Sequence, residues 1–259
     1  MPASGTGTRI AQSRSVDQTL LTAAAGMRSR LESLELLGNN IANAATAGFK
    51  RDHEFYNLFL GVEAEENRSG EFTWMPVVEG SAIDFSQAAV APTSGPLDLA
   101  LSGPGFFVVE GPQGRLYTRN GSFLRSPGGR LETVEGFPVE GEAGPLTLPP
   151  GEVKISQDGS VSVGEQPLGR LRVAEFAAAP RLAKVGRNYF RPLDTSAPEP
   201  ASRTLVRQGH LEGSNVNAVE AAVRLVSVTR QFEMLGRAVT LVANEMNRRA
   251  IEELPRSGG

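Results

Sequence analysis

Few side chains in this sequence of 259 residues could support chemistry. There is no cysteine, and the only imidazoles belong to His53 and His210. Disulfides, thiolate zinc sites and cysteine nucleophiles are therefore excluded, and we expect no metal site because two imidazoles would need carboxylate ligands to complete it. Glu63, Glu65 and Glu66 lie close together in a polar segment, where a solvated run of charge is a simpler interpretation than a pair of catalytic acids.

Loop motifs that bind nucleotides or present a nucleophile are also missing. The sequence has no G-x-S-x-G elbow and no P-loop, and Gly103-Pro104-Gly105 lacks the third glycine of a dinucleotide-binding loop. Tyr117 and Arg119 precede the turn sequence Asn120-Gly121; they could bind a ligand, but a strand leading into a tight turn is the favoured interpretation. The sequence thus predicts no catalytic residue, no cofactor and no metal, which favours an assembly protein over an enzyme.

Asparagines cluster at the end of a long apolar-periodic run, although asparagine fits poorly in a helix interior. Asn39, Asn40 and Asn43 occur within five residues and are followed by Gly48 and Phe49. A buried amide on a helical seam fixes register, because a slipped pairing leaves it unsatisfied. We therefore predict that these amides set helix register before Gly48 ends the segment, with local capping and turning as the alternative.

Two long helices, one at each end of the chain, are expected to position these amides. Apolar or small residues recur at alternating steps of four and three, the heptad spacing of a helix packed lengthwise on a partner. Asn215 and Asn217 would act similarly at the start of the second helix, with Ser214 or Asn215 as its N-cap. The first seam comprises Leu20, Ala24, Met27, Leu31, Leu34, Gly38 and Ile41, and the second comprises Ala218, Ala221, Leu225, Val228, Phe232, Leu235, Val239, Val242 and Met246.

The middle of the chain has the composition of β structure. Turn sequences such as Asn120-Gly121 and Asp158-Gly159 recur at short intervals and favour the positive φ of tight hairpins. The predicted fold class is α+β: long N- and C-terminal helices paired as a coiled coil, with a central antiparallel β domain. The predicted organisation is a disordered arm over 1–18, a helical stalk from 19–62 and 206–252, a β domain with flanking linkers over 63–205, and a flexible tail over 253–259.

Charge and hydropathy exclude two further classes of partner. The chain has 26 basic and 29 acidic residues, a balance that argues against nucleic-acid binding. Its apolar runs all fall short of the roughly 18 residues that a membrane span needs, so no membrane insertion is expected. The polar N-terminus lacks the apolar core of a secretory signal peptide, which by itself predicts a cytoplasmic protein.

Three long segments resemble the flagellar basal-body rod and hook family. Leu20–Arg51, which contains NNIAN and GFK, is similar to the family's N-terminal signature. Leu101–Val139, which contains YTRNGSF, is similar to its β segment. Leu211–Met234, which contains LEGSNVN, is similar to its C-terminal signature. The resemblance implies a structural subunit of the rod in the periplasm, exported by the flagellar type III apparatus without a cleaved signal peptide. That implication replaces the cytoplasmic prediction.

Within the family, TRQFEM at 229–234 looks more like the proximal F-type rod protein than the distal G-type. The implied partners are copies of itself, other rod and hook-junction subunits, and the type III export apparatus. The alternatives are a distal rod or hook-type subunit, a non-flagellar coiled-coil adaptor, and an enzyme acting on the cell wall. The residues expected to carry helix pairing and assembly are Leu20, Met27, Leu31, Leu34, Asn39, Asn40, Ile41, Asn43, Gly48, Phe49, Asn215, Asn217, Leu225, Val228, Phe232, Leu235, Val239 and Val242.

Overall fold

A computed structural model of the chain describes residues 6–60, 74–176, 181–186, 188–193 and 198–252. Two compact units are present. One, here the terminal unit, contains 1–41, 53–82 and 218–259; the other, the central unit, contains 42–52 and 83–217.

Two long α-helices belong to the terminal unit. α1 runs from Thr6 to Ala42 and α2 from Ala218 to Glu252. α1 includes residues 6–18, for which the sequence predicted a disordered arm, and its span contains no proline that would break it. In α2, Glu220 lies in the first turn, where a negative charge interacts favourably with the helix dipole.

The prediction that these helices pair as a coiled coil is wrong. Along the described part of α1 the buried side chains are Ser29, Ser33, Leu37 and Asn40, and the predicted seam residue Leu31 is 48% exposed. At about 100° per residue, the buried stripe is centred about 135° round the helix from the predicted seam. Heptad spacing therefore identified an apolar stripe on α1, but the structure buries a different, more polar face most deeply.

The two helices do approach each other near Gly26. A Cβ added there would lie 3.6 Å from Cδ1 of Leu235. Within the described residues, this approach does not continue as a lengthwise seam between the two helices. The small residue at position 26 permits a local close approach instead of heptad interlocking.

α2 presents its apolar stripe inward. Ala221 and Val228 are buried, whereas Ala218 at the start of the stripe is exposed. Arg224 on the same helix donates to Oε2 of Glu54 on β1 at 3.0 Å, which ties α2 to the strand within this unit. The partly buried members of the stripe are Leu225, Phe232, Leu235, Val239 and Val242.

The region between the helices is β-rich, and the strand pairs whose registers are resolved are antiparallel. The strands are β1 (Asp52–Leu60), β2 (Trp74–Ile83), β3 (Val90–Pro92), β4 (Leu99–Ser102), β5 (Phe106–Gly111), β6 (Gly114–Thr118), β7 (Phe123–Arg125), β8 (Leu131–Thr133), β9 (Glu140–Gly141), β10 (Gly144–Pro145), β11 (Val153–Ile155), β12 (Ser160–Val163), β13 (Gln166–Arg170), β14 (Val173–Glu175), β15 (Leu182–Val185), β16 (Tyr189–Pro192), β17 (Glu199–Pro200), β18 (Leu205–Gln208) and β19 (His210–Glu212).

The largest sheet has six strands in the order β15-β16-β6-β5-β14-β17. Its alternating side chains face two apolar clusters: Phe107 and Val109 of β5 enter one, and Phe106 and Val108 enter the other. The pairs β19–β3 and β18–β4 are separate two-stranded sheets. This arrangement places residue 119 just beyond the end of β6 and residue 212 at the end of β19.

Predicted turn sequences join paired strands at 111–114, 127–129 and 158–159, but not at Asn120-Gly121. Asp158-Gly159 lies between the paired strands β11 and β12, and Gly159 has φ of 90°. Asn120-Gly121 does not, because β6 pairs with β5 and β16 while β7 pairs with β8. A Cβ at Gly121 would fall 1.7 Å from the carbonyl oxygen of Leu99, so glycine is needed there for close backbone approach.

Candidate functional site at a buried ion-pair junction

Three charged side chains from distant parts of the sequence meet inside the central unit. Lys50 Nζ donates to Oε1 of Glu212 at 2.6 Å, and Arg119 Nη1 donates to Oε2 of the same carboxylate at 3.3 Å. The side chains of Lys50 and Glu212 are fully buried, and that of Arg119 is 2% exposed. These residues come from the GFK, YTRNGSF and LEGSNVN strings respectively, and we call them the buried junction.

Gly48 brings the first string to the junction. Its φ is 68°, and a Cβ at this position would lie 2.3 Å from the backbone nitrogen of Asn120. The N–H of Gly48 donates to the carbonyl of Glu212 at 2.8 Å. Because only glycine has both this conformation and this lack of bulk, the chain can pass close enough to turn Lys50 inward.

Backbone groups complete the surroundings of Lys50 and Glu212. Lys50 Nζ also donates to the carbonyl of Ser86 at 2.6 Å, and the N–H of Ala88 donates to Oε1 of Glu212 at 2.9 Å. β19 positions Glu212 through its antiparallel pairing with β3, in which Glu212 is opposite Val90. The carboxylate is therefore held by two strands and by the chain that leads into β3.

Arg119 makes the weaker contact and retains unused hydrogen-bonding capacity. Its Nη2 donates to the carbonyl of Gly103 at 2.7 Å, and its guanidinium lies 4.9 Å from the ring centroid of Phe106. Among the described residues, Arg119 Nε has no hydrogen-bond partner. Gly103, whose φ is 130°, thus supplies a backbone carbonyl as the second acceptor for Arg119.

Two cations share one carboxylate at this site. Burial lowers the pKa of Lys50, and the attraction of Glu212 only partly offsets it; the pKa of Arg119 is lowered for the same reason. Buried ion pairs contribute little net stability, yet removing one partner leaves an uncompensated charge. A shifted arrangement of the three segments would therefore leave a buried charge uncompensated.

Beside it lies a second polar group, which we call the polar clamp: Arg51, Asp84, Ser86 and Asn215. Asn215 Oδ1 accepts from the N–H of Arg51 at 2.7 Å, and its Nδ2 donates to the carbonyl of Asp84 at 2.8 Å. The Asn215 amide thereby bridges two backbone segments, accepting from one and donating to the other as the backbone of a neighbouring β-strand would.

Asp84 is held in its charged form. Nε of Arg51 lies 3.0 Å from Oδ2 of Asp84, and the N–H of Ser86 donates to Oδ1 at 2.9 Å. Burial by itself would raise the pKa of Asp84, but the hydrogen bonds from Ser86 and Arg51 outweigh it and lower the pKa to about 2.

The junction and the clamp lie where the chain enters and leaves the central unit. That unit contains residues 42–52 and resumes at residue 83, ending at 217. Lys50 and Arg51 come just before residue 52, where the first segment of the central unit ends. Asp84 follows the start of its second segment at residue 83, and Asn215 precedes the end of that segment at residue 217. What the arrangement can do is hold three segments of the central unit in a fixed relation, which is a mechanical role.

Some residues predicted to act in assembly also meet here. The N–H of Asn215 donates to the carbonyl of Phe49 at 3.3 Å, and Phe49 is buried with Lys184 Nζ 4.2 Å from its ring centroid. Lys184 donates to Oδ2 of Asp52 at 2.6 Å, and burial lowers the pKa of this lysine. Gly48, Phe49 and Asn215 thus belong to one site.

The asparagines at the end of α1 differ in their surroundings. Asn40 is buried, Asn39 is exposed, and Oδ1 of Asn43 accepts from the hydroxyl of Thr46 at 3.3 Å in the turn after α1. Asn217 is exposed and precedes the first residue of α2. The remaining α1 positions are partly buried at Met27, Leu34 and Ile41, and the side chain of Leu20 lies outside the described part of the structure.

Lys50 and Glu212 were missed by the reasoning from sequence, although both lie in the quoted strings. The available signal was a charged residue inside an otherwise apolar or glycine-rich string, as in Gly-Phe-Lys and Leu-Glu-Gly. Arg119 was recognised only as a strand residue. The described residues hold no cluster of acidic or histidine side chains suited to a metal ion, and none of their helices combines the length and apolarity needed to cross a membrane.

Known proteins resemble most of this chain. The model of the flagellar hook protein FlgE/F/G D1 domain matches residues 100–163, and that of the flagellar basal body rod FlgEFG protein C-terminal region matches residues 207–253. The flagellar basal-body rod protein FlgF of Caulobacter vibrioides is 32% identical over 92% of this chain and 98% of its own. The rod protein FlgG of Agrobacterium fabrum is 32% identical over 88% of this chain and 96% of its own length. FlgF of Escherichia coli is 33% identical over 90% of this chain and 97% of its own length.

Proposed function

Because the chain belongs to the family of flagellar basal-body rod proteins, we propose that it is a structural subunit of the rod and polymerises through its terminal helices. In this proposal the rod is a tubular shaft that transmits torque, and the buried junction holds three segments of the central unit together. That internal bracing supports a mechanical role.

One observation carries the proposal: α2 exposes large apolar side chains along a single face. Their exposed fractions range from 52% at Val226 to 75% at Val219. Spacing by steps of three and four, or their sums, keeps them on one side of the helix. Exposed Arg230 and Arg237 lie among these apolar side chains on the same face. Exposed apolar surface rimmed by polar residues marks an interaction site. This exposed stripe comprises Val219, Val223, Val226, Met234 and Leu241.

The exposed stripe lies opposite the partly buried face of α2. Val226 and Val228, for example, are two positions apart and so point about 200° apart; Val226 is 52% exposed and Val228 is buried. One face of the helix packs within its own chain, which leaves the other available for a neighbouring subunit. On the predicted seam of α1, Leu31, Ala24 and Gly38 are also exposed.

The proposed partners are copies of this chain and adjoining rod and hook-junction subunits of the basal body. Location of the chain in the periplasm and its export through the flagellar type III apparatus are part of the same proposal. Both FlgF and FlgG relatives match over most of the chain, so proximal and distal rod positions are the two assignments to be tested. The TRQFEM string at 229–234 favours the proximal one.

The proposal is tested by placing a charge on the exposed stripe. Val223→Asp combined with Met234→Asp is expected to abolish incorporation into basal bodies and swimming, while the purified chain keeps its circular dichroism spectrum. Thr240→Asp, on an exposed position about 100–120° round the helix from Met234 and Leu241, is the control and is expected to assemble normally. Normal rods built from the doubly charged variant would contradict polymerisation through this surface.

A further inference from the structure

One stretch near the end of the central unit, residues 205–215, joins parts of that unit that are far apart in the sequence. It contains β18, which pairs with β4, and β19, which pairs with β3. It also contacts residues 48–51, Pro96 and residues 153–157. We call this stretch the closing segment, and we propose that it docks last when the central unit folds, so that the unit stays open until the segment is available.

The closing segment supplies part of the larger apolar core. Val206 is 2% exposed and belongs to the same cluster as Val161, which is 1% exposed. The N–H of Val206 donates to the carbonyl of Gln157 at 2.8 Å, which fixes β18 against the turn between β11 and β12. Until the closing segment docks, the core side chains that Val206 covers stay in contact with water, at a cost proportional to their apolar area.

Gln208 ties the closing segment to two further segments through its side-chain amide. Its Oε1 accepts from the N–H of Ile155 at 3.0 Å, and its Nε2 donates to the carbonyls of Pro96 and Val153, each at 2.8 Å. A side-chain amide can accept and donate at once, so this residue satisfies three backbone groups of the finished unit. Those groups need water as their partner until Gln208 arrives.

The buried junction also depends on the closing segment. Lys50 and Arg119 both donate to the carboxylate of Glu212, which belongs to this segment. Burying the two cations side by side before Glu212 docks would bring like charges together away from water without the carboxylate that both contact. Gly48, which brings Lys50 toward the junction, also donates its N–H to the carbonyl of Glu212. The first segment of the central unit therefore closes favourably only together with the closing segment.

Sequence separation sets the order in which these contacts form. β5 pairs with β6, and β11 with β12, each across a short turn. By contrast, Gln208 is 112 positions from Pro96, and Glu212 is 162 positions from Lys50. Bringing such distant residues together costs more loop-closure entropy than closing a hairpin, and the cost has to be met before the contacts stabilise the chain. The hairpins therefore form before the closing segment docks.

Late docking gives the central unit a control on its own closure, and this control does not depend on the rod function. The unit ends at residue 217, so the closing segment is also the last part of it to be synthesised. A chain that has not yet presented Glu212 keeps the unit open, which avoids a closed form in which Lys50 and Arg119 lack their shared carboxylate.

Matched variants of the full chain test the order of docking. Val206→Ala and Val161→Ala remove the same methyl groups from one apolar cluster, but only Val206 lies in the closing segment. A contact absent from the folding transition state changes the unfolding rate and leaves the refolding rate unaltered. Val206→Ala is expected to raise the unfolding rate about fivefold or more with a change of less than about twofold in the refolding rate. Val161→Ala is expected to slow refolding about threefold or more.

Both rates are measured in urea by pulses of hydrogen exchange and mass spectrometry, which follow peptides of the central unit separately from those of α1 and α2. Glu212→Gln provides a second test, because it alters the charge of the closing segment without altering its shape. It is expected to raise the unfolding rate and to leave the refolding rate within about twofold of wild type. Refolding slowed by Val206→Ala at least as much as by Val161→Ala, or slowed more than about twofold by Glu212→Gln, would overturn the proposal.

Discussion

Glu212 is the residue whose charge the central unit depends on most. It faces two buried cations, Lys50 and Arg119, and both of its oxygens are engaged. A buried charge left without its partner costs about 3–5 kcal/mol, whereas a pair taken out together often costs little. The excess of cations makes the three members unequal: removing Lys50 leaves one balanced pair, but neutralising Glu212 leaves two unpaired charges.

Glu212→Gln is therefore expected to lower the free energy of unfolding of the central unit by about 3–5 kcal/mol, because its amide keeps the shape but not the charge. Lys50→Met is expected to cost about 1–2 kcal/mol, since Arg119 and Glu212 still balance. Both losses are measured by urea denaturation monitored with far-UV circular dichroism. Glu165→Gln, at an exposed loop position, is the control. A larger loss for Lys50→Met than for Glu212→Gln would contradict the charge argument.

Gly48 is expected to tolerate no side chain. Gly48→Ala would combine a left-handed conformation, which costs about 1–2 kcal/mol, with a Cβ that overlaps the backbone of Asn120. Gly136→Ala is a matched control, because Gly136 also has positive φ (84°) but has open space where the Cβ would lie. Thermal unfolding should show a loss for Gly48→Ala that exceeds the loss for Gly136→Ala by about 2 kcal/mol or more. Similar losses would mean that close approach at Gly48 is unimportant.

Asp84 gives the polar clamp a defined pH dependence. Its pKa is about 2 in the folded chain, below the value of about 3.9 for an unfolded aspartate. A depressed pKa contributes stability above the unfolded value, and this contribution disappears as pH falls from about 4 to 2. The gap in unfolding free energy between wild type and Asp84→Asn should thus be constant near neutral pH and narrow over that range. A gap that persists unchanged at the acidic end would exclude this role for the carboxylate.

At the scale of elements, the two helices differ in how far their sequence predicts their packing. Alternating steps of four and three locate an apolar stripe on each helix. On α2 the structure buries Val228 of that stripe, whereas on α1 it buries Ser29 and Ser33 and leaves Leu31 exposed. Periodicity contains no information about which partner a stripe meets, so pairing α1 with α2 lengthwise was the wrong inference. A stripe that awaits another subunit has the same spacing as one that packs within the chain.

The junction shows a comparable limit. Its segments were quoted for their resemblance to a family, and that resemblance is confirmed by relatives that match over most of the chain. The contact of Lys50 with Glu212 joins residues 162 positions apart. Such a pairing depends on the register of β19 with β3 and on the approach of Gly48 to Asn120, neither of which local propensity specifies.

Helix register by asparagine stays a prediction, and the structure sharpens its test. Asn40 is buried on α1 while its neighbour Asn39 is exposed. Asn40→Ala is expected to destabilise the helical part by about 1–2 kcal/mol because a buried hydrogen-bonding group is lost, and Asn39→Ala by less than about 0.5 kcal/mol. Thermal melts monitored at the helical circular dichroism band measure the difference. Equal effects would leave only a capping role for these amides.

Considered as a whole, the molecule combines a central unit with internally satisfied cores and helices that keep apolar surface exposed. Phe107, Leu131 and similar residues fill the larger β core without help from another chain. The exposed stripe of α2, by contrast, runs from Val219 to Leu241, and its side chains are not packed against other residues that the structure describes. Long helices gain most of their stability from packing, so we expect the terminal unit to become fully stable only in the assembled rod.

Electron microscopy of basal bodies purified from a strain that lacks this chain tests the rod function most directly. We predict rods that stop near the inner membrane, with motility lost, and restoration of both by the wild-type chain but not by the doubly charged stripe variant. Rods that stop further out would assign the chain to the distal part. Complete basal bodies and normal swimming without the chain would contradict its role as a rod subunit.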